Sequence, residues 1–589
     1  MAISGSDCSA WKDIVHLDWP RPYRLALSLL LVVAVSTVVV AFFYDQFAYL
    51  PDDGTYAFIA SRILAGDVLN RDIQDVHAGY INFYNAAALK FFGSTLLSLR
   101  LPLALLTIAQ AALVFWLVSK VHIGLAILSG IVMAVLTFVQ FLNPTANWYC
   151  LFFVVALIPM MSSSIESRTK LVQIGAMIGL IFLTRQLNGV IVGVAVLTCL
   201  LHEASIHSSS NDRLAARLVL VPLIAVLALY TWRATDIAAF LLIGVWPLLI
   251  GTYVAVSARI NNQQVFAMVG YLFAGAALAG MPLAAYHAWH GSISFFFDDV
   301  VMSALSLSRL GFISQSQYVL YAFDSLSQVV AFETPAKVLN GIFWLILIIA
   351  PAILGLTVIS RLARGQDSPG ITSFVFVSVF YALVSVHYQI PIYLFYSSAM
   401  TLIALLLVSG MWRLRYRALI AAMVSFVAVA GVYYQAGQPL SRGIAGIVEG
   451  KRVARLPDCA IPKANLRLEE KECATYTRLL ADIDRHSRST DKILALPYSP
   501  EIYFLSGRNK PVRYINAALG VRNEEQLKET LAILRANPPV LAVYRPNDKY
   551  NTRHTPQIAA WLASTYELID EFDGFEVYVR TVDSGQQAR

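Results

Sequence analysis

About thirteen apolar runs divide residues 25–434, and most are long enough to cross a hydrocarbon layer. This feature constrains the fold more than any other. A segment in lipid must satisfy its backbone N–H and C=O groups internally, so runs of this length fold as packed helices. They lie near residues 25–43, 97–119, 121–142, 146–162, 169–185, 187–202, 215–232, 237–257, 264–284, 340–360, 371–388, 391–410 and 416–434. The pair flanking Arg185 could also form one long broken helix. Composition agrees, because 58% of the 589 residues are hydrophobic and only 14% are charged. A soluble chain of this length needs more polar surface. The first run has no small-residue cleavage site and reads as a span, not a removable signal.

Loop charge orients the bundle. The formal net charge is +7, dispersed over short loops, so it does not indicate nucleic acid. With Lys12, Arg21 and Arg24 in the cytoplasm, alternation places Lys120, Arg168, Lys170, Arg213, Arg217, Arg259, Arg361, Arg364, Arg413, Arg415 and Arg417 on that side too. The short loops opposite carry little beyond Arg233. This positive-inside pattern predicts a cytoplasmic segment 1–24 and a membrane domain 25–434. Two long outer loops, 44–96 and 285–339, alternate aromatic and polar residues and contain short amphipathic pieces suited to the membrane interface.

An odd number of spans puts the tail, 435–589, outside. There "NEEQLKETLAILRA" reads as an amphipathic helix, and "PVLAVYRP" and "FEVYVR" read as strands. The expected class is therefore mainly α: a polytopic helical membrane protein with a small C-terminal α/β domain. Cys150 and Cys199 lie in apolar runs as core residues. Cys459 and Cys473 lie in the polar tail, where a disulfide can form if the tail is extracytoplasmic.

Several polar groups stand out against this background. "PDDGTYAFIASRILAG" places Asp52 and Asp53 at the start of an amphipathic helix that Gly66 would end. The acids either cap that helix or act as a general base or metal ligand. His77, in "QDVHAGY", is an interfacial hydrogen-bonding residue or part of a site. Arg185, in "FLTRQLNGV", interrupts apolar sequence, which costs about 2.5–3.5 kcal/mol at a span centre. It either snorkels to the interface or serves an anion such as phosphate. His387 and Tyr388, in "SVHYQIPIYLFY", belong to an aromatic belt or to the same site. His287, His290, Asp298 and Asp299 could bind a metal, although they follow no strict ligand spacing. The alternation of spans brings Asp52, Asp53, His77, Arg185, His387 and Tyr388 to the outer face together.

The order of these motifs resembles the GT-C superfamily of polytopic glycosyltransferases. Within it, the chain is most similar to bacterial relatives of protein O-mannosyltransferases and of the lipid A aminoarabinose transferase, a family-39-like group. "DDGTYA" matches Asp-Asp/Glu-x-x-Tyr-Ala after the first span. "HAGYINFYNAAALKFFGSTLLSLR" matches a basic residue opening a helix that ends "FG.S....R", with Ala78 and Gly79 where the family has prolines. "TRQ" and "HYQIP" match two later segments. Asn143 and Asn147 stand where some relatives carry a second acid.

The resemblance implies transfer of a sugar from a polyprenyl-phosphate donor to an acceptor hydroxyl on a glycan, lipid or protein, with inversion. It implies Asp52 as base with Asp53 beside it, and His77 and Arg185 on the donor phosphate. Tyr56, Tyr80, Gln186, His387 and Tyr388 would line the substrate pocket. It leaves metal dependence open, and it places the site on the periplasmic side of a bacterial inner membrane. The alternative is a transporter or lipid flippase of envelope biogenesis without catalysis, which ionisable residues spread along several span centres would favour.

Overall fold

The computed structural model describes residues 21–161, 167–303, 317–365, 372–410, 412–433 and 455–581. Lys12, the centre of the second outer loop and the predicted start of the tail at residue 435 lie outside the described residues. A helix covers each of the thirteen predicted runs. Ten are long and apolar enough to cross a membrane: Arg21–Phe43, Leu96–Ser119, Ile123–Gln140, Gln186–His207, Leu214–Ala234, Ile237–Ser257, Asn262–Trp289, Pro335–Ala363, Pro391–Ser409 and Leu414–Val432. Three more are shorter, namely Ala146–Met161, Arg168–Thr184 and Ser373–Val386. The chain is a multi-pass helical membrane protein.

At Arg185 the sequence left two readings, and the structure has two helices. Arg185 is a single extended residue between Arg168–Thr184 and Gln186–His207. A Cβ on Gly189 would lie 2.3 Å from the Phe182 Cα, so the chain doubles back there. The first arm of this hairpin packs closely on Asn262–Trp289. Cβ atoms on Gly175 and Gly275 would each meet a backbone oxygen of the other helix at 2.0 Å. Gly175 and Gly179 form the small-xxx-small spacing that lets spans approach this closely. The Pro391–Ser409 helix is buried along its length and sits at the centre of the bundle.

The two long loops, 44–96 and 285–339, hold the amphipathic pieces their sequences foretold. Leu50–Leu64 and Tyr80–Phe92 lie in the first, and Ile293–Phe297 and Gln317–Ala331 in the second. Gly66, at φ +99°, follows the first of these and closes it.

The C-terminal domain carries a sheet of four strands: β1 (Ile493–Leu496), β2 (Leu541–Tyr544), β3 (Tyr566–Phe572) and β4 (Phe575–Arg580), in the order β1-β2-β4-β3. β1 and β2 are parallel, joined through helices Pro500–Ser506 and Glu524–Ala536. The other pairings are antiparallel. Strand β3 was not expected. Its Glu567, Asp570 and Glu571 break apolar alternation, which an edge strand tolerates because one side faces water. Asp573 and Gly574, both at positive φ, make the tight turn to β4. The tail cysteines Cys459 and Cys473 form a disulfide.

This domain rests on the first outer loop. Arg455 and Arg467 pair with Asp45, and Arg467 N–H donates to the Asp45 carbonyl at 2.8 Å. Phe58 stacks on Tyr503 with ring centroids 5.0 Å apart. The tightest point is Gly54, where a Cβ would lie 2.2 Å from the Glu501 Cα. Two helix backbones touch there, and only glycine fits. Gly54→Val should therefore displace the domain at a cost of about 1–3 kcal/mol. Limited proteolysis of the purified chain should cut within 455–581 faster than in wild type, with unchanged helical circular dichroism.

Candidate active site

Asp52 and Asp53 are adjacent in the first turn of Leu50–Leu64, about 100° apart around the helix, so they face different surroundings. Asp53 points inward and is 1% exposed. Arg100 donates to its Oδ2 at 2.8 Å, and Asn143 donates to its Oδ1 at 2.9 Å. Its place in the first helical turn also sets the carboxylate near the positive end of the helix dipole. Burial pushes its carboxyl up to about 6, with the Arg100 guanidinium pulling the other way. Arg100 is itself fully buried and donates to the carbonyls of Gln46 (2.9 Å) and Phe47 (2.6 Å).

Asp52 is half-buried and forms no ion pair among the described residues. Its Oδ1 accepts from the Tyr498 hydroxyl at 3.1 Å, and no bond from the described residues occupies Oδ2. Burial raises its pKa, while the Tyr498 bond and the charges of Lys549 and His77 work against that rise. His77 donates Nδ1–H to Asp75 at 2.9 Å, and Asn82 holds the other Asp75 oxygen at 2.6 Å. This fixes the imidazole 5.9 Å, centroid to centroid, from the Tyr56 ring. The Tyr56 hydroxyl reaches Thr145 at 3.5 Å.

Arg185 sits at the turn of the hairpin. Its Nη2 donates to the Tyr393 hydroxyl at 3.1 Å, and its guanidinium lies 5.8 Å from that ring's centroid. No carboxylate pairs with it among the described residues. Its charge and that of Asp52 act on the same three tyrosines, Tyr56, Tyr388 and Tyr393. His387 joins this aromatic wall, with its ring 4.4 Å from Tyr388 and its Nδ1 3.3 Å from the Tyr230 hydroxyl. A cation without a carboxylate partner among the described residues and a carboxylate thus act on the same tyrosines.

Other predicted residues serve the framework. The Gln186 amide donates to the carbonyls of Val76 (2.9 Å) and Val300 (3.4 Å), tying the two outer loops together. The Tyr80 hydroxyl donates to the Ala279 carbonyl at 2.6 Å. Each acid of the candidate metal set is paired with an arginine. Asp299 pairs with Arg513 at 2.5 Å and accepts from Asn70 at 3.1 Å, and Asp298 pairs with Arg522 at 2.5 Å. His287 bonds Ser292 at 2.8 Å. With arginines on both carboxylates, these four residues do not fit a divalent cation. Among the described residues no group of three His, Cys, Asp or Glu does.

Sequence reasoning missed Tyr498, Tyr550 and Lys549, which come from the C-terminal domain, and the Arg100–Asn143 support of Asp53. Arg100 carried a usable signal. It interrupts "LLSLRLPLALL" just as Arg185 interrupts its own apolar run. The tail tyrosines carried none, because nothing local marks which tyrosine of a docked domain meets a distant carboxylate.

No protein-family model and no curated protein matches the sequence. Among solved structures, the chain is similar to ArnT from Cupriavidus metallidurans bound to undecaprenyl phosphate. That match has 11% identity, a TM-score of 0.37, and covers 96% of this chain and 99% of ArnT. The apo state of the same protein matches at 13% identity and TM-score 0.37, covering 93% and 97%. The Archaeoglobus fulgidus oligosaccharyltransferase complex with Zn and sulfate matches at 13% identity and TM-score 0.43, covering 94% of this chain and 73% of that one. At these values the likenesses carry no residue correspondence.

The Asp53–Arg100 pair makes a sharp prediction. Arg100→Leu strands a buried carboxylate and should cost about 3–5 kcal/mol. Arg100→Leu with Asp53→Leu should recover most of that loss, because an apolar pair needs no countercharge. Thermal unfolding of the two variants in detergent reads the difference.

Proposed function

We propose that the chain is a GT-C-type membrane glycosyltransferase, acting at the outer face of a bacterial inner membrane. Its donor is a sugar carried on a polyprenyl phosphate, and its acceptor is a hydroxyl of an envelope glycan, lipid or protein. One observation carries the reading: Asp52 keeps an unoccupied carboxylate oxygen, and Arg185 has no carboxylate partner among the described residues, beside the same tyrosines. A phosphate leaving group needs a cation, and an attacking hydroxyl needs a base. Both are present here, close enough to act on the same rings.

The chemistry follows from these groups. The acceptor hydroxyl gives its proton to Asp52 Oδ2 as its oxygen attacks the anomeric carbon. The bond from that carbon to the phosphate oxygen breaks on the opposite face, which inverts the configuration. Arg185 takes the growing negative charge of the departing phosphate, with His77 as a second contact held in place by Asp75. The prenyl chain enters sideways from lipid. Asp53 keeps the helix in register without touching substrate. The disulfide between Cys459 and Cys473 supports an outer location for the domain, since such bonds persist in oxidising compartments.

Transfer from a labelled polyprenyl-phosphate sugar by the purified chain tests this. Asp52→Asn should lower kcat by about 10²–10⁴-fold. Equal turnover would overturn the assignment. Arg185→Ala should weaken donor binding more than acceptor binding, and unchanged donor affinity would remove it from the phosphate site. In wild type, kcat/KM should rise with pH through a midpoint above the ordinary aspartate value of about 3.9, because burial holds the Asp52 proton and only the ionised base accepts one.

A further inference from the structure

The geometry points to Tyr498, on the C-terminal domain, as the positioning residue of Asp52, its one proton shared between Asp52 Oδ1 and Thr55 Oγ1. Three distances carry this. The Tyr498 hydroxyl is 3.1 Å from Asp52 Oδ1 and 2.6 Å from Thr55 Oγ1. Thr55, one helical turn beyond Pro51, donates its own hydroxyl proton back to the Pro51 carbonyl at 2.8 Å. Thr55 has a single proton to give, so its oxygen receives from Tyr498. The tyrosine must then divide its donation between a neutral hydroxyl and a carboxylate. Its ring is braced edge-on against Tyr550, with centroids 4.8 Å apart.

The consequence for Asp52 is directional. Oδ1 is held by Tyr498, so Oδ2 is the oxygen left for an incoming hydroxyl. A bond donated to the ionised form also makes the carboxylate a weaker base than burial alone would. Charged and titratable groups around Asp52 come from several elements. Lys549 and Tyr550 share the domain of Tyr498, and His77 comes from the first outer loop. Tyr49, Asp53 and Tyr56 lie along its own helix, and Tyr388 and Tyr393 lie across the space. Of these groups, Tyr498 alone makes a direct side-chain bond to it. That Asp52 is the reacting base rests on the function proposed above, whereas the Tyr498 bond does not.

Infrared titration of the purified full-length chain reads the Asp52 carboxyl without any substrate, its band assigned by subtraction of Asp52→Asn. Tyr498→Phe keeps the ring and removes the donor, so the Asp52 midpoint should rise by about one pH unit. Thr55→Val removes the competing acceptor and frees the proton for Asp52, so the midpoint should fall. A role confined to packing would not produce opposite shifts. Midpoints that stay at the wild-type value, or that move the same way in both variants, overturn the inference. Failure of wild-type sugar transfer, measured separately, would overturn the functional reading and leave the titration result standing.

Discussion

The half of this molecule on which the C-terminal domain rests is organised by one buried ion pair. Arg100 enters from the start of the second span, and Asp53 from the first turn of the outer-loop helix. Neither charge could stay in an apolar setting alone, and the pair is supported by the carbonyls and the amide that surround it. Arg100 Nη1 and Nη2 also donate to the carbonyls of Tyr44, Gln46 and Phe47, which holds the chain leaving the first span against the second. Asn143 closes the second carboxylate oxygen from the loop before the Ala146–Met161 helix. Three separate segments are thereby locked at one point. The register of Leu50–Leu64 follows from that lock, and so does the direction in which Asp52 points.

A division of labour between neighbouring acids results. Rotation about the helix turns one carboxylate into the protein and leaves the next half-open. The inward acid carries the structural load, so the outward one need not. The same logic recurs at the second outer loop, where Arg513 and Arg522 neutralise Asp299 and Asp298. Acids that looked like ligand donors in the sequence are domain clasps in the structure.

How much was legible beforehand depended on the range of the physics. Helix positions followed from apolar run length, which is local and strong, and a helix covers each of the thirteen runs. Strands β2 and β4 were equally local, whereas β3 was hidden by its edge-strand acids. Asp52, His77 and Arg185 were visible as polar groups in costly places, and Tyr56 is the one ring that the His77 contact and the two charges have in common. Gln186 and Tyr80 were visible too, but residue type cannot tell a pocket amide from one that ties two loops. Tyr498 was beyond reach, since its importance arises only once Gly54 lets two backbones touch.

That contact also sets an order of events. Asp52 and its tyrosine partner are 446 residues apart, so the carboxylate emerges early in synthesis and its partner near the end. During that interval every span can already be in the membrane while the outer helix lacks its cover. The unit that completes the contact must fold, join Cys459 to Cys473, and settle on Gly54. The Tyr498 bond is therefore the last to form, onto a helix whose register Arg100 and Asn143 have already set.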